Sequence, residues 1–391
     1  MRGVRGRIAV AFALACGAVA FALLGCGGGS VQSVGGKRRS ASGYASLLAR
    51  LSPAQLAGQR IVYAYAGLTP PRSLLARISH GEAAGVIFFT DNIASAVQLH
   101  RVARTLQHAA GASPVHLPLL LMTDQEGGLV RRLPGEPSLS EKRIGEDPDA
   151  AAKASEAGTG AAATLSAAGL NVNLAPVLDV FRRPGDFIDE FQRSYGTGPT
   201  SVGALGAAFI SAQQHAGVAA TAKHFPGLGA AERDQNTDEV PVTISSSLHT
   251  LHTDDELPYR RAIAAGVRLV MTSWAIYPSL DATLPAGMSS AVIEGELRGR
   301  LDFGGVTITD SLGAGALSAF GGFGERGVLA AAAGADLLMC TGRSPSEDTP
   351  TEGEAVLRGI KRALRSGSLP GAGTKHAVER VLALRATLSH G

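Results

Sequence analysis

Lys223-His224-Phe225-Pro226-Gly227-Leu228-Gly229 sets a cation beside an imidazole, just after the apolar run Val218-Ala219-Ala220-Thr221-Ala222. A short apolar run of this kind reads as a buried strand, and proline with glycine breaks the chain into a loop at once. A strand that hands polar side chains to a rigid loop is how an α/β enzyme presents groups to a ligand. An isolated pair would be explained as well by local hydrogen bonds. Here the pattern recurs. Asp124 follows Leu119-Leu120-Leu121-Met122, and Asp179 follows Val172-Asn173-Leu174-Ala175. Trp274 follows Leu269-Val270-Met271, and Asp310 follows Val306-Thr307-Ile308. Brought together, such carboxylates can move protons or attack an electrophile, while lysine, histidine and arginine donate hydrogen bonds to a polar ligand. Asp310 also suits a helix N-cap, a role that aspartate fills well.

Something must hold these strand ends together. Eight apolar runs recur along the chain, counting Ile61-Val62-Tyr63-Ala64, Val86-Ile87-Phe88-Phe89 and residues 337–339 with those above. Between them lie Ala/Leu-rich stretches of helical period, such as residues 93–109, 151–168, 202–215 and 290–300. Strand and helix in alternation imply parallel strands. Eight such units predict an α/β fold, a single-domain (β/α)8 TIM-type barrel, with functional side chains at the strand C-termini. Two further helices, over residues 354–365 and 375–388, are expected outside it. The rival, an open doubly wound sheet, lacks its Gly-rich dinucleotide fingerprint after the first strand.

Composition narrows the partners. With 391 residues, 45% hydrophobic and 18% charged, the chain has ample core to bury. Its net charge is +3, and Arg2, Arg5 and Arg7 account for it, so no electrostatic partner such as nucleic acid is indicated. No metal-ligand spacing is visible, and no metal or cofactor is expected. Cys340 ends an apolar run and reads as an inert buried thiol.

The first residues form a separate unit. The basic start and the apolar run over residues 8–24 read as a secretory signal. It ends in Leu23-Leu24-Gly25-Cys26, which resembles a bacterial lipobox whose cysteine is lipidated. Residues 1–26 are therefore expected to be a signal peptide, 27–45 a Gly/Ser-rich tether and 46–391 the barrel. The protein is expected in the cell envelope, touching the membrane only through a lipid at Cys26, and as a monomer.

Thr123-Asp124-Gln125-Glu126-Gly127-Gly128, followed by Arg131-Arg132, resembles the signature of family 3 glycoside hydrolases. So do residues 171–180, Arg193-Ser194-Tyr195-Gly196, the loop from Lys223 to Gly229, residues 303–310 and Ala333-Gly334-Ala335-Asp336. The likeness runs in order from about residue 51 to 386. It is closest to the single-barrel bacterial β-N-acetylhexosaminidases, because the chain ends where larger members begin a second domain. The resemblance implies a retaining exo-glycosidase that removes terminal β-linked N-acetylglucosamine from cell-wall or chitin-type fragments through a covalent glycosyl-aspartate. It implies Asp310 as nucleophile, with Lys223 and Arg132 as candidates to hold it ionised. It also implies Asp124, Arg132, Arg193, Lys223 and His224 as contacts to the sugar, with Glu126 and Asp179 bracing the rim.

One motif departs from the family. The subgroup carries Asp-x-His after the Lys-His motif, where the histidine gives the proton and the aspartate orients it. Here the same slots hold Asp234 and Asn236, or Thr237 if the loop is counted from its far end. Neither asparagine nor threonine is a useful acid near neutral pH. Glu232, Asp234, Asp238 and Glu239 are the nearby carboxylates that could donate instead, and Leu228 replaces a histidine between the two glycines. Two alternatives stay open: a sugar-binding lipoprotein with little turnover, and a β-glucosidase-type activity.

Overall fold

The computed structural model describes residues 41–342 and 348–388. The expected signal, its Cys26 and the tether up to residue 40 lie outside the described residues. Among the described residues, no helix is long and apolar enough to cross a membrane.

Eight parallel strands close into a barrel in chain order. They are β1 (Ile61–Tyr63), β2 (Gly85–Ile87), β3 (Leu120–Thr123), β4 (Val172–Asn173), β5 (Ala219–Phe225), β6 (Leu269–Thr272), β7 (Val306–Ser311) and β8 (Leu337–Cys340). Each pairs with the next in parallel, and β8 closes on β1. This excludes the open sheet. Strands buried on both faces read as continuous apolar runs, which is why the sequence shows them so plainly. Val62, Ala84, Leu120, Met122, Val172, Ala219, Leu269, Val306 and Leu337 pack together as the filling of the barrel.

The helices form the outer ring. Ala96–Gly111, Ala150–Ala167, Pro199–His215 and Ala291–Arg300 fall where the periodicity puts them, as do Pro350–Ser366 and Gly371–Thr387. The first described helix, Ala41–Arg50, buries Leu47 and Leu48 in a cluster with Val378 and Leu382 of the last. At the N-terminal end of β8, buried Asp336 accepts hydrogen bonds from Arg298 and Arg380, each at 2.7 Å, and from the Thr307 N–H. That knot ties two barrel strands to two outer helices, on the face away from the strand C-termini.

Three details differ from the sequence reading. Strand β5 continues through Lys223 and His224, and β7 through Asp310, so these residues sit within strands rather than after them. The N-cap role of Asp310 does not occur, since the next helical turn, Gly315–Leu317, is capped at Ala314. Trp274 is buried and donates its indole N–H to the Ser311 carbonyl at 2.7 Å, bracing the end of β7. Cys340 is a free, fully buried thiol whose ionisation burial strongly disfavours.

Candidate active site

A cleft of about 350 Å³ opens at the C-terminal ends of the strands. Ile87, Leu174, Met271 and Met339, from alternate strand ends, form its apolar floor. Asp124, Arg132, Arg193, Lys223, His224, Asn236, Asp238 and Asp310 all line it. Seven of the eight residues singled out as site candidates in the sequence therefore meet there; Asp234 does not, and it is exposed.

One wall is a cage of charges. Lys223 Nζ lies 2.7 Å from Asp124 Oδ1 and 2.7 Å from Glu126 Oε1. Arg193 grips Glu126 with both Nε and Nη2, at 2.9 and 2.8 Å, and Arg132 approaches Asp124 at 3.5 Å. Lys223 and Glu126 are almost wholly buried. Burial alone would raise the Asp124 carboxyl, yet Lys223 and Arg132 outweigh it and hold Asp124 well below the usual carboxylate range. Glu126 is lowered in the same way, its burial outweighed by Arg193 and Lys223. For Lys223, burial works against the charge, and Asp124 and Glu126 still hold its pKa above the ordinary value. Three cations thus meet two carboxylates, which leaves one positive charge in excess within this cage, beside the carboxyls of Asp91, Asp238, Asp310 and Asp348 that share the cleft. Lys223 and Arg132, expected beside Asp310, spend their direct contacts on Asp124 instead. Among the described residues Asp310 has no ion pair, and its Oδ1 accepts the Ser311 N–H at 2.7 Å.

Below the cage, Asp179 is a hub rather than a rim brace. Its Oδ2 lies 2.7 Å from His224 Nδ1, and its Oδ1 accepts the His224 and Leu228 N–H groups. The bond to Nδ1 fixes that nitrogen as the donor and leaves Nε2 toward the cleft, 3.4 Å from Arg193. The loop after β5 is pressed down further on: a Cβ at Gly229 would stand 2.1 Å from the Val180 carbonyl oxygen, so only glycine fits. Leu228 is buried in a cluster with Phe187, Ala231 and Val242, while its edge still reaches the cleft.

The rest of that loop returns to the cleft. Asn236 Oδ1 accepts the Asp238 N–H at 3.0 Å, the turn that asparagine forms with its own chain two residues on. The Asn236 carbonyl accepts the N–H groups of Glu239 and Val240. Asn236, Thr237 and Asp238 all line the cleft, Thr237 as a buried wall residue, and of the three only Asp238 carries a group that can give a proton near neutral pH.

Sequence reasoning overlooked Asp91 and Asp348, which also line the cleft. Asp91 stands just beyond β2, where the rule of polar strand ends could have found it. Asp348 belongs to the connection after β8, whose sequence carries no signal. Among the described residues, His252, Glu256 and Glu296 have a spacing that could hold a metal ion. They do not line the cleft, and Arg300 pairs with both glutamates, supplying the positive charge itself.

A family profile described as the glycosyl hydrolase family 3 N terminal domain matches residues 56–384. An uncharacterized secreted glycosyl hydrolase of Arthroderma benhamiae is 48% identical over 335 residues, covering 85% of this chain and 93% of its own. A beta-hexosaminidase of Xylella fastidiosa is 36% identical over 247 residues, 61% of this chain and 70% of that one. The structure of a family 3 beta-N-acetylglucosaminidase from Paenibacillus superposes with a TM-score of 0.79 at 35% identity, covering 86% of this chain and 63% of that one. The chain thus spans less than two thirds of that solved structure.

Proposed function

Since the chain belongs to glycosyl hydrolase family 3, we propose that it is a retaining exo-glycosidase acting on terminal β-linked N-acetylglucosamine, from cell-wall or chitin-type fragments. The single observation behind this reading is the cleft itself: Asp310 shares it with Asp124, Arg132, Arg193, Lys223 and His224. A carboxylate beside a charged, donor-rich wall suits a sugar held by its hydroxyls and attacked at the anomeric carbon. The names of the Xylella and Paenibacillus relatives favour the N-acetylated sugar over glucose. Asp310 attacks, Asp124 accepts sugar hydroxyls, and Arg132, Arg193 and Lys223 donate to hydroxyls and the acetamido group. His224, whose Nδ1–H is given to Asp179, contacts the sugar through Nε2 as an acceptor. A module that only bound sugar would have no use for Asp310 at that position. The enzyme is exported and held at the membrane by a lipid on Cys26; the Arthroderma relative, described as secreted, agrees with export.

The test is direct. Nitrophenyl β-N-acetylglucosaminide should be cleaved faster than nitrophenyl β-glucoside, and NMR should show the β-anomer of the sugar as first product. Release of the α-anomer would exclude a glycosyl-aspartate, and preference for glucoside would reassign the sugar.

A further inference from the structure

We propose that Asp238 is the proton donor and acceptor of the reaction and that Asn236 is the residue that positions it. The proposal rests on the glycosidase reading above and supplies the group that the family's missing histidine leaves vacant.

Geometry carries it. Of the four carboxylates on the loop after β5, only Asp238 lines the cleft; Glu232, Asp234 and Glu239 do not. The turn that bears Asp238 is fastened to the segment just beyond Asp310. Gly315 donates its N–H to the Asp238 carbonyl at 2.7 Å, and Ala316 to the Thr237 carbonyl at 3.1 Å. A Cβ at Gly315 would stand 2.0 Å from the Glu239 carbonyl oxygen, so the two loops touch backbone to backbone. Strands β5 and β7 thereby deliver Asp238 and Asp310 to one cavity as a joined unit. From the other side, Asn236 holds the Asp238 N–H, and its Nδ2 reaches Glu239 at 3.3 Å.

The electrostatics match the role. Asp238 is exposed at the rim of the cleft, yet the crowding of that rim pushes its carboxyl up to about 6, and the charge of Asp310 adds to the rise. Arg193 and His224 pull the other way, and Asp124 adds slightly. A carboxyl whose proton is held in this way, beside a second carboxyl in the same cleft, suits the acid of an acid–nucleophile pair. Asp348 also lines the cleft, and burial pushes it up to about 6. Its charged neighbours, however, are Glu352 and Asp91, not Asp310.

In the first step an Asp310 oxygen bonds to the anomeric carbon as the bond to the leaving oxygen breaks, and the Asp238 proton moves to that oxygen. In the second, a water oxygen attacks the same carbon, its proton passes to the Asp238 carboxylate, and the bond to Asp310 breaks. One water is consumed, and both carboxyls return to their starting states.

The experiment compares wild type with Asp238→Asn, Asp238→Ala and Asp348→Asn, on nitrophenyl and methyl glycosides of N-acetylglucosamine. Loss of a general acid should lower kcat/KM on the poor leaving group about 10²- to 10⁴-fold and change the nitrophenyl value far less. The alkaline fall of kcat/KM above about pH 6 should vanish in Asp238→Asn. Azide should speed Asp238→Ala and give the β-glycosyl azide. Asn236→Ala should lower kcat with an intact but shifted alkaline limb, and Asn236→Asp, which keeps the acceptor oxygen, should recover part of it. An Asp238→Asn enzyme with the wild-type pH profile and leaving-group dependence would overturn the proposal. So would an Asp348→Asn enzyme that alone loses them. Failure of the sugar assignment reads differently: wild type would ignore both N-acetylglucosaminides, and the comparison then runs on the aryl glycoside it does cleave. Because Asp238→Asn could disturb the turn, carboxyl NMR provides a second readout. Asp310→Asn should lower the Asp238 pKa, and an unchanged value would break the coupling the proposal requires.

Discussion

Nδ1 of His224 stands 2.7 Å from Oδ2 of Asp179, and the other oxygen of that buried carboxylate takes the backbone N–H groups of His224 and Leu228. One side chain thereby orients a cleft-facing imidazole and anchors the start of the loop that carries Asn236 and Asp238. Asp179→Ala leaves these donors without a partner. Breaking such a buried charged contact costs about 3–5 kcal/mol. Asp179→Asn keeps an acceptor oxygen and should lose less. Urea unfolding of both variants measures this, and an alanine variant of wild-type stability would show that the hub does not matter.

Lys223→Met removes the counter-ion shared by Asp124 and Glu126. Both carboxyls are held below their ordinary pKa in the folded protein. A carboxylate lowered by folding contributes stability above its unfolded pKa, about 4, and loses it as pH falls toward the folded value. Wild type should therefore exceed the variant most at pH 7, with the gap narrowing at pH 3. Urea midpoints at the two pH values check this, and an equal gap at both would exclude the ion pairs as its source.

Asp310→Asn should lose several orders of magnitude in kcat while melting at the wild-type temperature. A 2-fluoro sugar should label wild type, with the added mass on the peptide that contains Asp310. Label on any other carboxylate would remove Asp310 from the mechanism.

Gly315→Ala acts from outside the cleft. Its new Cβ meets the Glu239 carbonyl oxygen, so the turn at Asp238 must shift. Displacing a catalytic group by about 1 Å costs on the order of 10²-fold. The loss should fall on poor leaving groups, with nitrophenyl glycosides nearly spared. Equal losses on both would point to general damage.

Cys26→Ser should move the protein from the membrane fraction to the soluble one in its native host. A wild type already soluble, with a different N-terminus, would mean an ordinary cleaved signal.

The barrel was legible because strands buried on both faces need unbroken apolar runs, and Ala/Leu-rich stretches of helix length alternate with them. The strand ends were misjudged at Lys223, His224 and Asp310 because polarity marks solvent or function, not the end of backbone pairing. The cage was legible as a group of residues but not as a set of pairs: nothing in the spacing says that Lys223 serves Asp124 and Glu126 rather than Asp310. Asp238 could be named as one of four carboxylates and not ranked. Its place depends on hydrogen bonds from Gly315 and Ala316, far along the chain. Asn236 was read as the remnant of an acid, whereas its side chain closes a turn on Asp238.

Leu228, between the two glycines of the loop after β5, is sunk among Phe187, Ala231 and Val242. A greasy anchor of that kind sets the loop before any sugar arrives. Ligand capture then needs no slow closing movement, and the cost of freezing a loose segment is already met in the folded state. Substrate should enter a finished receptacle, at a rate governed by diffusion and by the charge at its mouth.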